Sequence, residues 1–432
     1  MNHSSERTLA QWLAYLEQGQ AGGVIDMGLE RVRAVKERMN LQPRCPIVTV
    51  AGTNGKGSVC AFLTAIYREA GFRVGTLTSP HLLRFNERIA LNGEPADDAA
   101  IVAAFERIEA ARGDIALTYF EFNTLAAVDV FMRAEVDVMV LEVGLGGRLD
   151  AVNVFDADVA AVVSVDVDHQ AFLGDTVEAV AYEKAGVFRH GKPAICGQNP
   201  PPHSLAAYAA EIGAPLLVAG RDFTVQSMDN QQWSFRFHPQ SFRLLERARH
   251  ALPMPALRGA YQLHNAACAL SVIECLNTQL PIDIGAIKRG LLMAVNAGRF
   301  QVLPGRPLRV WDVGHNPHAA RALKNSLQRL PFAQKRTAVF SILADKDMAG
   351  VVSLLDKEFD EWLIAPLDLP RGRSVDNMLQ VFAQVGIERR KIHAFDSVPA
   401  AWAYALSTAG EDDRIVLFGS FHTVAEVAAT HS

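Results

Sequence analysis

Residues 47–58 read IVTVAGTNGKGS, and the fold can be worked outward from them. Ile47 to Val50 are apolar or β-branched, the pattern of a parallel strand buried on both faces, and a helix-compatible run from Val59 to Ala70 follows a glycine-rich turn. Strand, turn and helix in that order outline a phosphate cradle. Gly52, Gly55 and Gly57 permit backbone conformations closed to residues with a Cβ, so that successive N–H groups can converge on phosphate oxygens at the helix N-terminus. Lys56 adds a fixed positive charge for the terminal phosphates, and Ser58 a hydroxyl for Mg²⁺. The spacing departs from the common G-x-x-x-x-G-K-[ST] loop: two residues instead of four separate Gly52 from Gly55, and Gly57 stands between Lys56 and Ser58. A nucleotide-binding loop is predicted, but not that of an ordinary GTPase.

The chain has 432 residues, which predicts two or three domains. A net charge of −5, from 42 basic and 47 acidic residues, gives no electrostatic footprint for nucleic acid or a membrane surface, so small-molecule chemistry is the expectation. The five cysteines are odd in number and contain no C-x-x-C pair, which argues against a disulfide framework and a zinc site. MNHSSERTLAQWLAYL lacks the features of a secretory leader, and no apolar run reaches the length of a membrane span. A soluble, cytoplasmic protein is expected.

Leu9, Trp12, Leu13 and Leu16 have helical spacing, and Val24 to Met39 repeats the pattern. Beyond the nucleotide loop, a strand from Arg73 to Thr78 runs into TSPHLLRFNERI (78–89), either a site loop beyond a strand end or an exposed polar loop. A helix from Asp97 to Arg112 is followed by LTYFEFNTL (117–125), whose aromatic residues suit either a slot for a flat heterocycle or the core. In DVMVLEVGLGGRLDAVN (137–153) a buried strand, Val138 to Leu141, ends at Glu142, where an acidic Mg²⁺ ligand is expected. The glycines after it do not complete a dinucleotide fingerprint, so NAD binding there is rejected.

A further strand, Val159 to Val165, places His169 past its end, and Lys184 follows on a short helix in EKAGVF (183–188), where it could be a solvated lysine. From Pro193 the texture changes. PAIC and PLLV read as strands and Phe223 to Phe237 as a hairpin turning near Asp229 and Asn230, together a subdomain appended to the parallel sheet. HNAACAL (264–270) lies on a helix, and NAGRFQVLPGRPLRV (296–310) is the candidate boundary. After it, five strand-like segments (308–313, 338–343, 361–365, 391–395, 414–418) alternate with helical ones as a smaller α/β domain, its polar groups gathered at strand ends in DVGHNPHAA (312–320) and GSFHTVA (419–425). The functional ends of the two domains are expected to face one another across a cleft.

In this order the motifs resemble those of the ATP-dependent Mur ligase superfamily, and most of all its bacterial folylpolyglutamate synthase/dihydrofolate synthase family, over nearly the whole chain. The TSPHL and LTYFE stretches favour the folate ligases over cell-wall Mur ligases. The resemblance implies an α/β architecture: a P-loop parallel-sheet ATPase domain with a small β subdomain and the pteroate site over 1–297, then a smaller Rossmann-like α/β glutamate-ligase domain over 298–432. It implies that ATP phosphorylates a carboxylate and the amine of L-glutamate displaces phosphate to form an amide. The acceptor is 7,8-dihydropteroate or a tetrahydrofolate mono- or polyglutamate.

By the same resemblance Thr53, Asn54, Gly55, Lys56, Gly57 and Ser58 bind the triphosphate, and Ser58, Ser79, Glu142 and His169 hold Mg²⁺. Lys184 matches a carbamylated position. Asn265, Arg299 and Asp312 match ATP contacts, so that ATP bridges the domains. Ile25, Asp26, Thr118, Tyr119, Phe120, Glu121, Leu149, Asp150 and Ala151 match the pteroate side, and His315 and Ser420 the glutamate side. Lys56, Lys184 and His315 are the implied catalytic residues. The implied partners are small molecules only, and the chain a monomer. Gln170, where the family often has Thr, and Ala297, where it often has Pro, depart from the pattern without removing a proposed ligand. The rival readings are a synthase that only extends polyglutamates, a UDP-sugar-peptide Mur ligase, and a binding protein that uses ATP as a switch.

Overall fold

The computed structural model describes residues 7–19, 27–227, 231–240 and 244–430. Ile25 and Asp26, and the expected hairpin turn at Asp229 and Asn230, lie outside them. The chain divides into two compact units, residues up to 256 together with 263–294, and residues 257–262 together with 295 onward.

The first unit is built on an eight-stranded sheet in the order β4-β3-β2-β5-β1-β6-β7-β8. Its strands are β1 (Ile47–Ala51), β2 (Val74–Leu77), β3 (Ile89–Leu91), β4 (Glu94–Pro95), β5 (Val138–Glu142), β6 (Val159–Val162), β7 (Ala194–Cys196) and β8 (Leu216–Val218). All pair in parallel except β3 and β4, which return antiparallel at one edge. β1, buried at every position, lies between β5 and β6. Strands covered on both faces read as continuous apolar runs, which is why this one was visible in the sequence. The helices are α1 (Leu9–Gly19), α2 (Glu30–Arg38), α3 (Lys56–Glu69), α4 (Asp98–Arg112), α5 (Tyr119–Arg133), α6 (Gln170–Leu173), α7 (Val177–Ala185), α8 (His203–Glu211), α9 (Gln262–Leu276) and α10 (Ile284–Met293). Trp12, Phe105, Phe122 and Phe131 of α1, α4 and α5 form one core with Leu77, Met139 and Leu141 of the sheet. A second core joins α7 and α8 to β6, β7 and β8.

PAIC and PLLV become β7 and β8 of this main sheet and not part of an appended subdomain, because their buried small and aliphatic residues pack into the α7–α8 core. The subdomain is a separate antiparallel sheet of β9 (Phe223–Ser227), β10 (Gln232–Phe237) and β11 (Arg247–Pro253).

The second unit holds a six-stranded sheet, β12-β13-β17-β14-β15-β16, from β12 (Gln301–Leu303), β13 (Leu308–Asp312), β14 (Arg336–Phe340), β15 (Glu361–Ile364), β16 (Ile392–Ala394) and β17 (Arg414–Phe418). The expected strands are present, and β12 is added as an antiparallel edge within the stretch taken as the boundary. Its helices are α11 (Pro317–Leu327), α12 (Met348–Leu355), α13 (Val375–Gln384), α14 (Val398–Thr408) and α15 (Phe421–Ala428). Phe340, Phe359, Trp362, Phe382 and Phe418 dominate its core. Among the described residues no helix is long and apolar enough to cross a membrane.

Candidate active site

The nucleotide turn joins β1 to α3. Gly55, the residue before α3, has φ +88°, and a Cβ there would stand 2.7 Å from Asn265 Oδ1 and 2.8 Å from Val163 Cγ1, so only glycine lets the turn lie flush against α9 and the end of β6. The turn is held from the β6 side. Thr53 N–H donates to the Ser164 carbonyl (2.8 Å), Asn54 N–H to Ser164 Oγ (3.0 Å), and Ser164 Oγ–H to the Asn54 carbonyl (2.8 Å). Thr53 Oγ1–H donates to the Asp166 carbonyl (2.9 Å). Ser164 was missed in the sequence, where a serine after a strand carries no signal of its own. Lys56 Nζ donates to the Gly52 carbonyl at 3.0 Å, folded back over its own turn. Gly57 and the buried Ser58 fall within the first turn of α3, which begins at Lys56, ahead of the expected Val59.

Next to β1, Glu142 ends β5 opposite Val50 and is only 2% exposed. Ser79 N–H, beyond β2, donates to Glu142 Oε2 at 3.2 Å, so these two predicted metal residues are brought together. His169 is elsewhere in the topology: it is exposed, lies past β6 on the other side of β1, and takes a left-handed backbone with its N–H on Asp168 Oδ1 (2.8 Å). Among the described residues no group of three or more His, Cys, Asp or Glu side chains is gathered as if for a metal. An oxygen site with one buried carboxylate fits Mg²⁺, which characteristically keeps waters and substrate phosphates among its ligands.

Lys184 is not a solvated helix lysine. On α7 it is 4% exposed, and burial, with repulsion from Lys56, pushes its pKa down to about 7 against the opposing pull of Asp168 and Asp150. Asp150 is also buried, which lifts its carboxyl to about 6, and it accepts from the N–H groups of Leu145 (2.9 Å) and Val152 (3.0 Å). Its side chain is spent on the glycine turn after β5. Leu149 beside it is 41% exposed, and Ala151 is buried.

Thr118 and Glu121 form a capping box at the start of α5, Thr118 N–H donating to Glu121 Oε2 (2.6 Å) and Glu121 N–H to Thr118 Oγ1 (3.2 Å). Glu121 also carries an ion pair with Arg31 at 3.2 Å. These polar groups are engaged structurally, which leaves the half-buried rings of Tyr119 and Phe120 as the side chains available for a flat ligand. Phe120 rests directly on Gly144, where a Cβ would lie 2.7–3.0 Å from its ring carbons.

In the second unit Asp312 ends β13, opposite Phe418 of β17. Its carboxylate accepts from Phe300 N–H (2.9 Å) and Gly314 N–H (2.7 Å), and burial raises its pKa. The Arg299 guanidinium lies 4.8 Å from the centroid of the Phe421 ring. His315 Nδ1–H donates to the Val313 carbonyl at 3.0 Å. Ser420, buried, caps α15 by accepting from Thr423 N–H at 2.9 Å. Arg299, Asp312, His315 and Ser420 thus gather at the carboxyl ends of two neighbouring strands.

A strand–glycine turn–helix at the centre of a parallel sheet, a buried carboxylate ending the next strand and a second α/β unit define a nucleotide-dependent ligase of the Mur type. The sequence matches the Mur ligase middle domain over residues 50–273 and the Mur ligase glutamate ligase domain over 298–421. It is 42% identical over 420 residues to the dihydrofolate synthase/folylpolyglutamate synthase of Escherichia coli, covering 97% of this chain and 94% of the relative. The structure is similar to that of E. coli FolC in complex with DHPP and ADP (TM-score 0.90, 41% identity, 98% of each chain). It is also similar to a bifunctional folylpolyglutamate synthase/dihydrofolate synthase with Mn, AMPPNP and L-glutamate bound (TM-score 0.88, 44% identity, 99% and 98% of the two chains). The chain belongs to the Mur ligase superfamily and, within it, to the dihydrofolate synthase/folylpolyglutamate synthase family.

Proposed function

We propose that the protein joins L-glutamate to 7,8-dihydropteroate and to tetrahydrofolate mono- and polyglutamates, using ATP to form an acyl phosphate. The relationship to bifunctional folate ligases over nearly the full length of both chains carries this reading. A carboxylate is a poor electrophile because oxide is a poor leaving group, and phosphorylation replaces that oxide by phosphate. In this reading the N–H groups from Thr53 to Ser58 cradle the phosphates and Lys56 turns from Gly52 to the terminal one. Mg²⁺, when bound, neutralises charge on the phosphates; Glu142, Ser58 and Ser79 would hold it, and His169, past β6 on the other side of β1, would join them from that side. Within the first unit Asn265 contacts the nucleotide. The pterin lies by Tyr119 and Phe120 and the main chain at 149–151, and His315 and Ser420 meet glutamate. Lys184 acts as its carbamate, which converts a buried amine into an anion. A cytoplasmic monomer is the setting this chemistry suits.

The test is ADP release with Mg²⁺, ATP, L-glutamate and either dihydropteroate or a reduced folate monoglutamate, the products being identified by mass. Amide formation with both acceptors is expected. Addition to folate alone would leave a polyglutamate synthase, and consumption of a UDP-sugar peptide instead would replace the reading with that of a cell-wall ligase. Two substitutions refine it. Glu142→Gln, which keeps size and removes charge, is expected to cut turnover about 100-fold or more, read as ADP release at saturating substrates; near-normal turnover would remove Glu142 from the metal site. Gly144→Ala drives a methyl into Phe120 and should raise KM for the pterin substrate about tenfold with the KM for ATP unchanged. An unchanged pterin KM would separate Phe120 from the pterin.

A further inference from the structure

We propose that Arg88 binds the carboxylate of the pterin-bearing acid, holding the group that ATP is to phosphorylate. The proposal rests on the ligase reading above and gives a role to a residue of TSPHLLRFNERI that this reading leaves without one.

Thr78 N–H donates to the Arg88 carbonyl at 3.0 Å, which draws Arg88 alongside the end of β2, next to Ser79 and its bond to Glu142. The side chain is half-buried against two rings, with its guanidinium carbon 5.8 Å from the Phe85 centroid and 5.4 Å from that of Tyr119. Its Nε–H donates to His81 Nδ1 at 2.8 Å, which fixes the plane of the fork. Among the described residues its two terminal nitrogens make no hydrogen bond and its charge forms no ion pair. The nearby carboxylates are otherwise occupied: Glu87 accepts from Leu82, Leu83 and Arg84 N–H at 2.7, 2.8 and 2.7 Å, and Glu142 attracts Arg88 without pairing with it. Burial works against the cation, so an arriving anion relieves an existing cost.

The sheet order says which anion. Strand by strand, the carboxyl ends present the nucleotide turn on β1, Glu142 on β5, and Ser79 with Arg88 beyond β2, and the Tyr119 ring lies against Arg88. The acid must reach from the aromatic slot toward the terminal phosphate, and its carboxylate therefore passes the stretch where the Arg88 fork is held. Arginine's planar donors match a carboxylate in two-point contact. Held there, one carboxylate oxygen attacks the terminal phosphorus and the bond to ADP breaks, its electron pair leaving with ADP. The guanidinium then faces the acyl oxygen that remains.

The experiment compares wild type with Arg88→Met and Arg88→Lys, using steady-state kinetics on dihydropteroate and a reduced folate, and inhibition by a dihydropteroate analogue with hydrogen in place of the carboxyl group. In Arg88→Met the KM for the acid should rise about 10- to 100-fold. The KM for ATP and the inhibition constant of the decarboxylated analogue should not move, and Arg88→Lys should recover part of the loss. Equal weakening of acid and analogue would overturn the proposal by reducing Arg88 to a support for Tyr119, and so would an unchanged KM. Either result leaves the ligase reading intact as long as wild type makes the amide; absence of amide from wild type overturns both.

Discussion

Lys56→Ala is expected to lower ligation about a thousandfold, in line with removing a preorganised charge from the place where charge develops in the transition state. The loss should fall on turnover at saturating ATP more than on nucleotide binding, because the backbone N–H groups and the glycine conformations of the turn do not depend on the side chain. The ammonium meets the Gly52 carbonyl, and the turn is anchored separately through Thr53 and Asn54 to Ser164 and Asp166. The variant should therefore melt close to wild type. Lys56 also helps depress the pKa of Lys184 and lowers that of Asp150, so its removal resets two further buried groups. Lys56→Ala and Lys184→Ala should accordingly combine to less than the product of their separate effects. ADP release and amide yield at saturating ATP, set beside a melting curve, decide the matter: a folded variant with near-normal turnover would take Lys56 out of the mechanism.

What could be read from the sequence follows from the range of the interactions involved. β1 and β17 were legible because strands buried on both faces are unbroken apolar runs, and Gly55 and Lys56 because a phosphate turn is a local device. β3 and β12 were not legible, each being three residues long and antiparallel, β12 at the edge of its sheet and β3 next to the two-residue edge strand β4, where the apolar signal is short and turns crowd in. The candidate site divides in the same way. Thr118 and Glu121 stand at the spacing of a capping box, a local signal that the aromatic residues between them obscured. The Glu121 partner Arg31 and the Asn54 partner Ser164 are distant in sequence, and no local pattern announces them. Burial is the other missing quantity: the sequence left Lys184 open between a solvated lysine and a site residue, and only the packing of α7 distinguishes these.

That burial makes Lys184 the second large effect. Lys184→Ala is expected to reduce ligation about 100- to 1000-fold, with part of the activity returning when short carboxylic acids are added. A lysine held at about 7 is largely neutral above that pH, and only the neutral amine attacks CO₂: the N–C bond forms, a C–O π pair moves onto oxygen, and the nitrogen gives a proton to water. The product is an anion within the influence of Lys56, whose charge works against an ammonium at this position and in favour of a carbamate. Wild-type activity should fall as pH drops through about 7, and fall further when dissolved CO₂ is stripped. Stability gives an independent reading. Between about 7 and 10.5 the unfolded chain holds a proton on this lysine that the folded chain lacks, so native stability rises with pH across that window. At and below about 7 the folded protein carries the full cost of the buried ammonium. Lys184→Met should therefore be more stable than wild type at low pH, with the difference closing toward pH 10.5. A melting difference that stays constant with pH would show that the amine is not held neutral, and undiminished activity in Lys184→Ala would remove it from the site.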